Sequence, residues 1–187
     1  MKLNLKTLAD LPDDVQRPSY ERAGLSAGII HIGLGNFHRA HQAWYLHRLM
    51  NLGLAHDWAI LGAGVRPADS AQRERLLAQD CLSTLIELDP SSKTAEVIGS
   101  MIGFILIAAD NAPLIAHMIE PAIRIVALTV TEGGYYQSSS GEFDSEHPDI
   151  QYDVSNSAAP MTVFGAIVAA LGKRRASGAG PLHLPEL

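Results

Sequence analysis

The stretch GIIHIGLGNFHRAHQAWYL, residues 28–46, constrains the fold more than any other part of the chain. The apolar run Ile29 to Ile32 ends at Gly33. From Phe37 to Leu52, the residues Phe37, Ala40, Trp44, Leu46 and Leu49 recur near helical spacing, and Gly53 follows as a stop signal. A fully apolar strand that feeds a helix through a glycine loop suits a parallel sheet covered on both faces. Gly33 permits the tight turn, and Gly35 lets the backbone come close to a bound group. The amides near Asn36, Phe37 and His38 would then face a phosphate at the helix start. His38 stands where a dinucleotide loop normally carries a third glycine, so the helix must sit further from the strand or the loop must take another shape. Arg39 brings a guanidinium able to pair with a phosphate. Gly-x-Gly is also compatible with a turn that serves the backbone alone.

The rest of the chain continues the alternation. Residues 1–27 are mixed and polar, with Pro12 and Pro18, and read as an arm packed on a domain. Trp58 to Val65 reads as a second strand and Pro67 to Gln79 as a charged helix. Leu82 to Leu88 and Glu96 to Ile107, split by Pro90-Ser91-Ser92-Lys93, read as a β-hairpin or two adjacent strands. Asn111 to Glu120 is expected as a helix with Asp110 as N-cap and Pro113 in its first turn. Ile123 to Val130 is the next buried strand, ending in the sharp turn Thr131-Glu132-Gly133-Gly134-Tyr135. Residues 137–159 read as a loop, and Pro160 to Ala176 as a last helix with Lys173, Arg174 and Arg175 in its final turn. The pattern is α/β: a Rossmann-like, doubly wound, mostly parallel sheet with an inserted β-hairpin.

Bulk properties narrow the function. With 187 residues, 47% of them hydrophobic and 18% charged, the chain suits one globular domain with a real core. A net charge of −6 argues against non-specific nucleic-acid binding, which depends on neutralising phosphates. The single cysteine, Cys81, allows no intrachain disulfide. The charged N-terminus has no signal-peptide core, and the longest apolar stretch, Val97 to Ala109, is too short to span a bilayer. A cytoplasmic location is therefore expected, with neither a nucleic-acid nor a membrane partner.

The histidines invite a metal reading, since His38 and His41 lie three positions apart and His47 follows further along the helix. No Asp, Glu or Cys joins them at ligand spacing, so no metal site is expected. His31, inside a strand, reads as a hydrogen-bonded core histidine. At the end of the second strand, an acid would accept from an adenosine ribose 2′-OH, whereas an arginine would suit a 2′-phosphate. Arg66 and Asp69 supply both options, and Asp69 has an alternative use as the N-cap of its helix. Asp57 precedes the strand and lies at the wrong edge.

Three motifs, IIHIGLGNFHRAHQAWYL, DWAILGAGVRPAD and IVALTVTEGGY, resemble the N-terminal domain of the mannitol dehydrogenase family, the long-chain polyol dehydrogenases. The family's loop, Gly-x-Gly-x-Phe-x-Arg-Ala-His, is matched by Gly33, Gly35, Phe37, Arg39, Ala40 and His41, so the absent third glycine is a family trait. The resemblance covers roughly residues 18–180. It implies NAD as cofactor, with Gly33, Gly35, Asn36, Phe37, His38, Arg39, Arg66, Asp69, Thr131, Glu132 and Gly133 as the binding residues. It also implies hydride transfer on a small polyol or keto-sugar, with interconversion of D-mannitol and D-fructose as the nearest activity. Reductases of fructuronate and tagaturonate are close relatives.

Family members are far longer and carry their catalytic lysine, with Asn and His partners, in a second, mostly helical domain that this chain lacks. The expected division is an arm (1–27), a dinucleotide-binding domain (28–180) and a divergent, truncated tail (181–187). No catalytic residue is assigned, Lys93 and Lys173 both reading as solvated. Such a chain is expected to be inactive alone. It would be a non-catalytic dinucleotide-binding remnant or the partner of a separately encoded C-terminal domain.

Overall fold

In the computed structural model, the structure describes residues 2–64, 67–129, 132–138 and 140–184, with only the backbone described at Glu132 and Gly133. The chain runs β1 (Val15–Gln16), β2 (Ala27–Ile32), α1 (Asn36–Ala40), α2 (Gln42–Asn51), β3 (Ala59–Ala63), α3 (Asp69–Leu77), β4 (Ser83–Asp89), β5 (Ser92–Ile98), β6 (Met101–Phe104), α4 (Ala112–Met118), β7 (Ile125–Leu128), α5 (Pro148–Ser155) and α6 (Val163–Ser177). Strands β6, β3, β2 and β7 lie side by side in that order, all parallel. The glycine loop therefore leaves the sheet from a central strand. The expected doubly wound α/β class is the observed one.

Alternation along β2 explains why both faces are covered. Ile30 and Ile32 point into a core built with Leu114, Ile115 and Met118 of α4 and Ala166, Ile167 and Ala170 of α6. Ile29 points the other way, with Ile60, toward Ala43, Leu46 and Met50 of α2 and Leu76 of α3. Each such Ile or Leu contributes about 1.5–3 kcal/mol by leaving water.

The inserted hairpin is present and extends further than expected. Strands β4 and β5 pair antiparallel from Ser83↔Ile98 to Asp89↔Ser92, so the turn is only Pro90-Ser91, with the Asp89 carboxylate accepting from the Ser91 amide and hydroxyl. Gly99 and Ser100 then separate β5 from β6, which belongs to the main sheet. The single strand expected from Glu96 to Ile107 is thus two strands in two sheets. The arm joins the smaller sheet: Val15 and Gln16 of β1 pair in parallel with Ala95 and Glu96 of β5.

Three further expectations are corrected. The helix expected from Phe37 to Leu52 is broken at His41, whose φ of −119° and ψ of −83° are not helical, giving α1 and α2. Asn111 rather than Asp110 occupies the N-cap position of α4, in a left-handed conformation; the Asp110 carboxylate accepts from the Ala112 amide. The Asn111 amide group instead donates to the carbonyls of Pro160 and Thr162, tying α4 to the start of α6. Finally, the loop expected over 137–159 contains α5. Its Asp153 is buried and accepts from the Met161 and Thr162 amides and the Thr162 hydroxyl, so α5 is anchored at the N-terminus of α6.

Of the basic cluster ending α6, Lys173 and Arg175 are exposed but Arg174 is buried. Its guanidinium donates to the carbonyls of Met118 and Glu120 at 2.9 Å and of Gly180 at 2.7 Å. It thereby gives the Met118 carbonyl, in the last turn of α4, a partner. Beyond Pro181, His183 forms a parallel bridge with Ile125, so the segment expected as a divergent tail returns to the sheet beside β7.

Candidate functional site

The β2–α1 loop sits at the C-terminal edge of the sheet, where ligands of open α/β folds bind. Gly33 has φ +91°, and a Cβ there would collide with the Thr129 carbonyl. Its amide donates to Ala63 at 3.1 Å, and its carbonyl accepts from the Thr129 hydroxyl at 2.6 Å. The turn is therefore locked to both neighbouring strands. Gly35 is different: it is the N-cap of α1 with φ −71°, and a Cβ there would meet nothing within 4 Å. Its lack of a side chain leaves open space next to the loop.

That space belongs to a cleft of about 690 Å³ running across the strand ends. Gly33, Leu34 and Gly35 form its middle. Gly64, Asp69, Gln72 and Phe104 line the half beyond β3, and Thr129, Tyr136, Asp149 and Val163 the half beyond β7. The Gln72 amide donates to the Leu34 carbonyl and braces the loop from α3.

The structure separates the expected site residues. Gly33, Gly35 and Asp69 line the cleft. Ala68 holds the N-cap position of α3 and Asp69 is its first residue, so the alternative of Asp69 as N-cap is not what the fold adopts. Asn36 and Arg39 pair at 2.6 Å and line a second cavity of about 430 Å³ between α1, α3 and β4. Phe37 is exposed and packs on His41, with ring centroids 4.6 Å apart. His38 turns inward, is 1% exposed and does not line the cleft. Arg66 and Thr131 lie outside the described residues; Glu132 and Gly133 belong to a 3-10 turn, Glu132–Tyr135. Asp57 lies at the opposite end of β3, paired at 2.9 Å with Arg124, whose guanidinium covers Trp58.

Beneath the loop, the His31 Nε2 lies 2.8 Å from the Thr129 hydroxyl. That hydroxyl gives its one proton to Gly33, so His31 must donate to it and carries its proton on Nε2. His38 stacks on His31, its Nδ1 3.1 Å from the Gln42 side-chain oxygen. Burial depresses His31 to about 4 and His38 to about 3, the neighbouring ring adding to the effect on His38. His47 is also buried, between the Tyr20 hydroxyl at 2.7 Å and the Glu96 carboxylate at 3.3 Å, and it ties the arm to α2 and β5. Among the described residues no three His, Cys, Asp or Glu side chains gather as metal ligands, and no helix is long and apolar enough to cross a membrane.

Gln72, Thr129, Tyr136 and Asp149 were missed as cleft residues. For Asp149 a signal existed: His147-Pro148-Asp149 places a cap acceptor, a proline and an acid where a helix begins, and the His147 ring does accept from the Asp149 amide.

The fold and loop define a Rossmann-type domain. The family described as the mannitol dehydrogenase Rossmann domain matches residues 27–184. Mannitol 2-dehydrogenase of Cereibacter sphaeroides is 61% identical over 167 residues, which cover 89% of this chain and 35% of that protein. A polyol:NADP oxidoreductase of Gluconobacter oxydans is 43% identical, over 92% of this chain and 36% of that protein. The structure of Pseudomonas fluorescens mannitol 2-dehydrogenase, a ternary complex with NAD and D-mannitol, superposes with a TM-score of 0.92 at 47% identity and covers 98% of this chain and 38% of that one. The chain belongs to the mannitol dehydrogenase family and corresponds to its Rossmann domain. It spans little more than a third of the length of these relatives.

Proposed function

We propose that this chain is the NAD-binding part of a polyol dehydrogenase that interconverts D-mannitol and D-fructose. The observation that carries the reading is the open space at Gly35, at the middle of a cleft that crosses the strand ends on both sides of β2. The cleft's size lies in the usual range for cofactor sites. The loop residues fit a pyrophosphate: Gly33 sets the turn, Gly35 lets the phosphates approach, and the first amides of α1 face them. Asp69 accepts from the adenosine ribose, and Arg66 lies near the same position in sequence. Arg39 supports the loop through Asn36 and is turned toward the second cavity rather than toward the phosphates. Bound NAD supplies the hydride acceptor.

Identity to mannitol 2-dehydrogenases supports the choice of substrate. The described cleft residues supply no lysine: Lys93 is the second residue of β5 and Lys173 lies on α6, both exposed. Proton transfer therefore rests with parts of the longer relatives that this chain does not match, whether on the same polypeptide or on a separately encoded one. The test is fluorescence titration of the purified chain with NADH. Gly35→Val adds a side chain into space that the fold leaves empty, so its folding should be retained and its affinity lost. Equal NADH affinity for parent and variant would overturn the assignment of the loop.

A further inference from the structure

Tyr136 and Asp149 form a built polar pair in the half of the cleft beyond β7. Tyr136 is held in a left-handed conformation, φ +50°, immediately after the 3-10 turn that follows β7. Its ring packs edge-on against His147, centroids 4.7 Å apart, and against Phe164 of α6 at 6.0 Å. A tyrosine held at positive φ is costly and is kept only where the surroundings enforce it. The enforced pose brings its hydroxyl to Asp149 Oδ2 at 3.2 Å. Burial, then the Asp149 charge, push the Tyr136 phenol up to about 12, so it stays a donor at neutral pH. Among the described residues Asp149 Oδ1 accepts no hydrogen bond, while the carboxylate lines the cleft.

The strand order says which part of a ligand this pair meets. A dinucleotide with its pyrophosphate on the loop after β2 places one nucleoside over β3 and the other over β7. The acid after the second strand serves the adenosine ribose in this fold, and Asp69 stands there. The β7 half is left for the nicotinamide nucleoside. A carboxylate with one oxygen tied to a tyrosine and one open is suited to accept from the vicinal hydroxyls of a ribose.

We propose that Asp149, oriented by Tyr136, binds the ribose hydroxyls on the nicotinamide side of the dinucleotide. This rests on the dinucleotide reading and adds to it a residue from α5, outside the glycine loop and the β3 acid. Asp149 is the binding residue, and Tyr136 is a positioning residue that acts through it.

The experiment compares NADH with AMP, which carries only the adenosine half, on the 187-residue chain. Asp149→Ala should weaken NADH by about tenfold, the usual scale for a hydrogen bond to a charged group, and leave AMP unchanged. Tyr136→Phe should weaken NADH less, again without changing AMP. Retained AMP binding shows that the variant cleft is folded. If Asp149→Ala melts early and loses both ligands, the near-isosteric Asp149→Asn decides: selective NADH loss supports the proposal and unchanged NADH affinity overturns it. In a folded Asp149→Ala chain, unchanged NADH affinity or an equal loss for AMP overturns it while leaving the dinucleotide reading standing. A parent chain that binds neither ligand overturns both.

Discussion

His38 lies face to face with His31, ring centroids 3.8 Å apart and planes 20° from parallel. The stack fills the space between α1 and β2 where a third glycine would let helix and strand meet directly. The loop is thus supported by an imidazole pair in place of backbone contact, and both rings are wholly enclosed. His31 continues the support through the Thr129 hydroxyl to the Gly33 carbonyl.

Enclosing two neutral imidazoles makes stability depend on pH. In the unfolded chain both titrate near 6.5, and in the folded protein only near 4 and 3. Between those values the unfolded chain binds more protons. The stabilisation is therefore complete above about 6.5 and declines as pH falls toward about 4 for His31 and about 3 for His38, at ~1.4 kcal/mol per histidine per pH unit. Urea titrations at several pH values should show this slope. His38→Phe keeps a ring on His31 and removes one titration, so it should flatten the profile by one histidine's share; an unchanged slope would refute the account.

Gly33 and Gly35 should respond differently to the same change. Gly33→Ala forces a side chain into the Thr129 carbonyl at positive φ, and a loss of about 3 kcal/mol or failure to fold is expected. Gly35→Ala meets no atom and should change the stability by less than about 1 kcal/mol. Thermal melts of the two variants measure the contrast, and equal effects would mean that the turn is not locked as described.

Asp69 is expected to favour NAD over NADP, because a carboxylate near the ribose 2′ position repels a phosphate there. Asp69→Ala should narrow the ratio of the two affinities, measured by parallel titration. An unaltered ratio would remove Asp69 from the ribose role.

The chain alone should not oxidise D-mannitol or reduce D-fructose at a measurable rate. A general base must stand within hydrogen-bond reach of the proton it takes, and the described cleft offers no lysine there. Poor positioning alone costs orders of magnitude in rate. NADH formation followed by absorbance with a panel of polyols is the check, and turnover that survives further purification would place a base within this chain.

What was legible in the sequence was local. Ile29 to Gly35 declared a buried strand and a glycine turn because apolar run, glycine spacing and helix start are all contiguous there. Asp69 was legible for the same reason, as the first acid after the second strand. The inward turn of His38 was not, since it depends on His31 in another element. The break at His41 was hidden because hydrogen bonds from His41 to Phe37 and from Tyr45 to His41 carry helical spacing through it. Helix α5 was masked by its Ser- and Asp-rich surroundings, and it is secured by Asp153 holding Thr162 from another helix. Tyr136 and Asp149 reach the cleft only through that packing, so the helix-start signal at His147-Pro148-Asp149 could place Asp149 at the head of α5 but not in the cleft.

The arm has a consequence for how the molecule is made. Arg22 donates to the carbonyls of Gly99 and Met101, 77 and 79 positions downstream, and β1 can pair only with a completed β5. On a ribosome adding about 5–20 residues each second, the arm therefore waits several seconds for its docking site. Arg22 and β1 spend that interval undocked, and β1 joins the hairpin as one of the later steps of folding rather than the first.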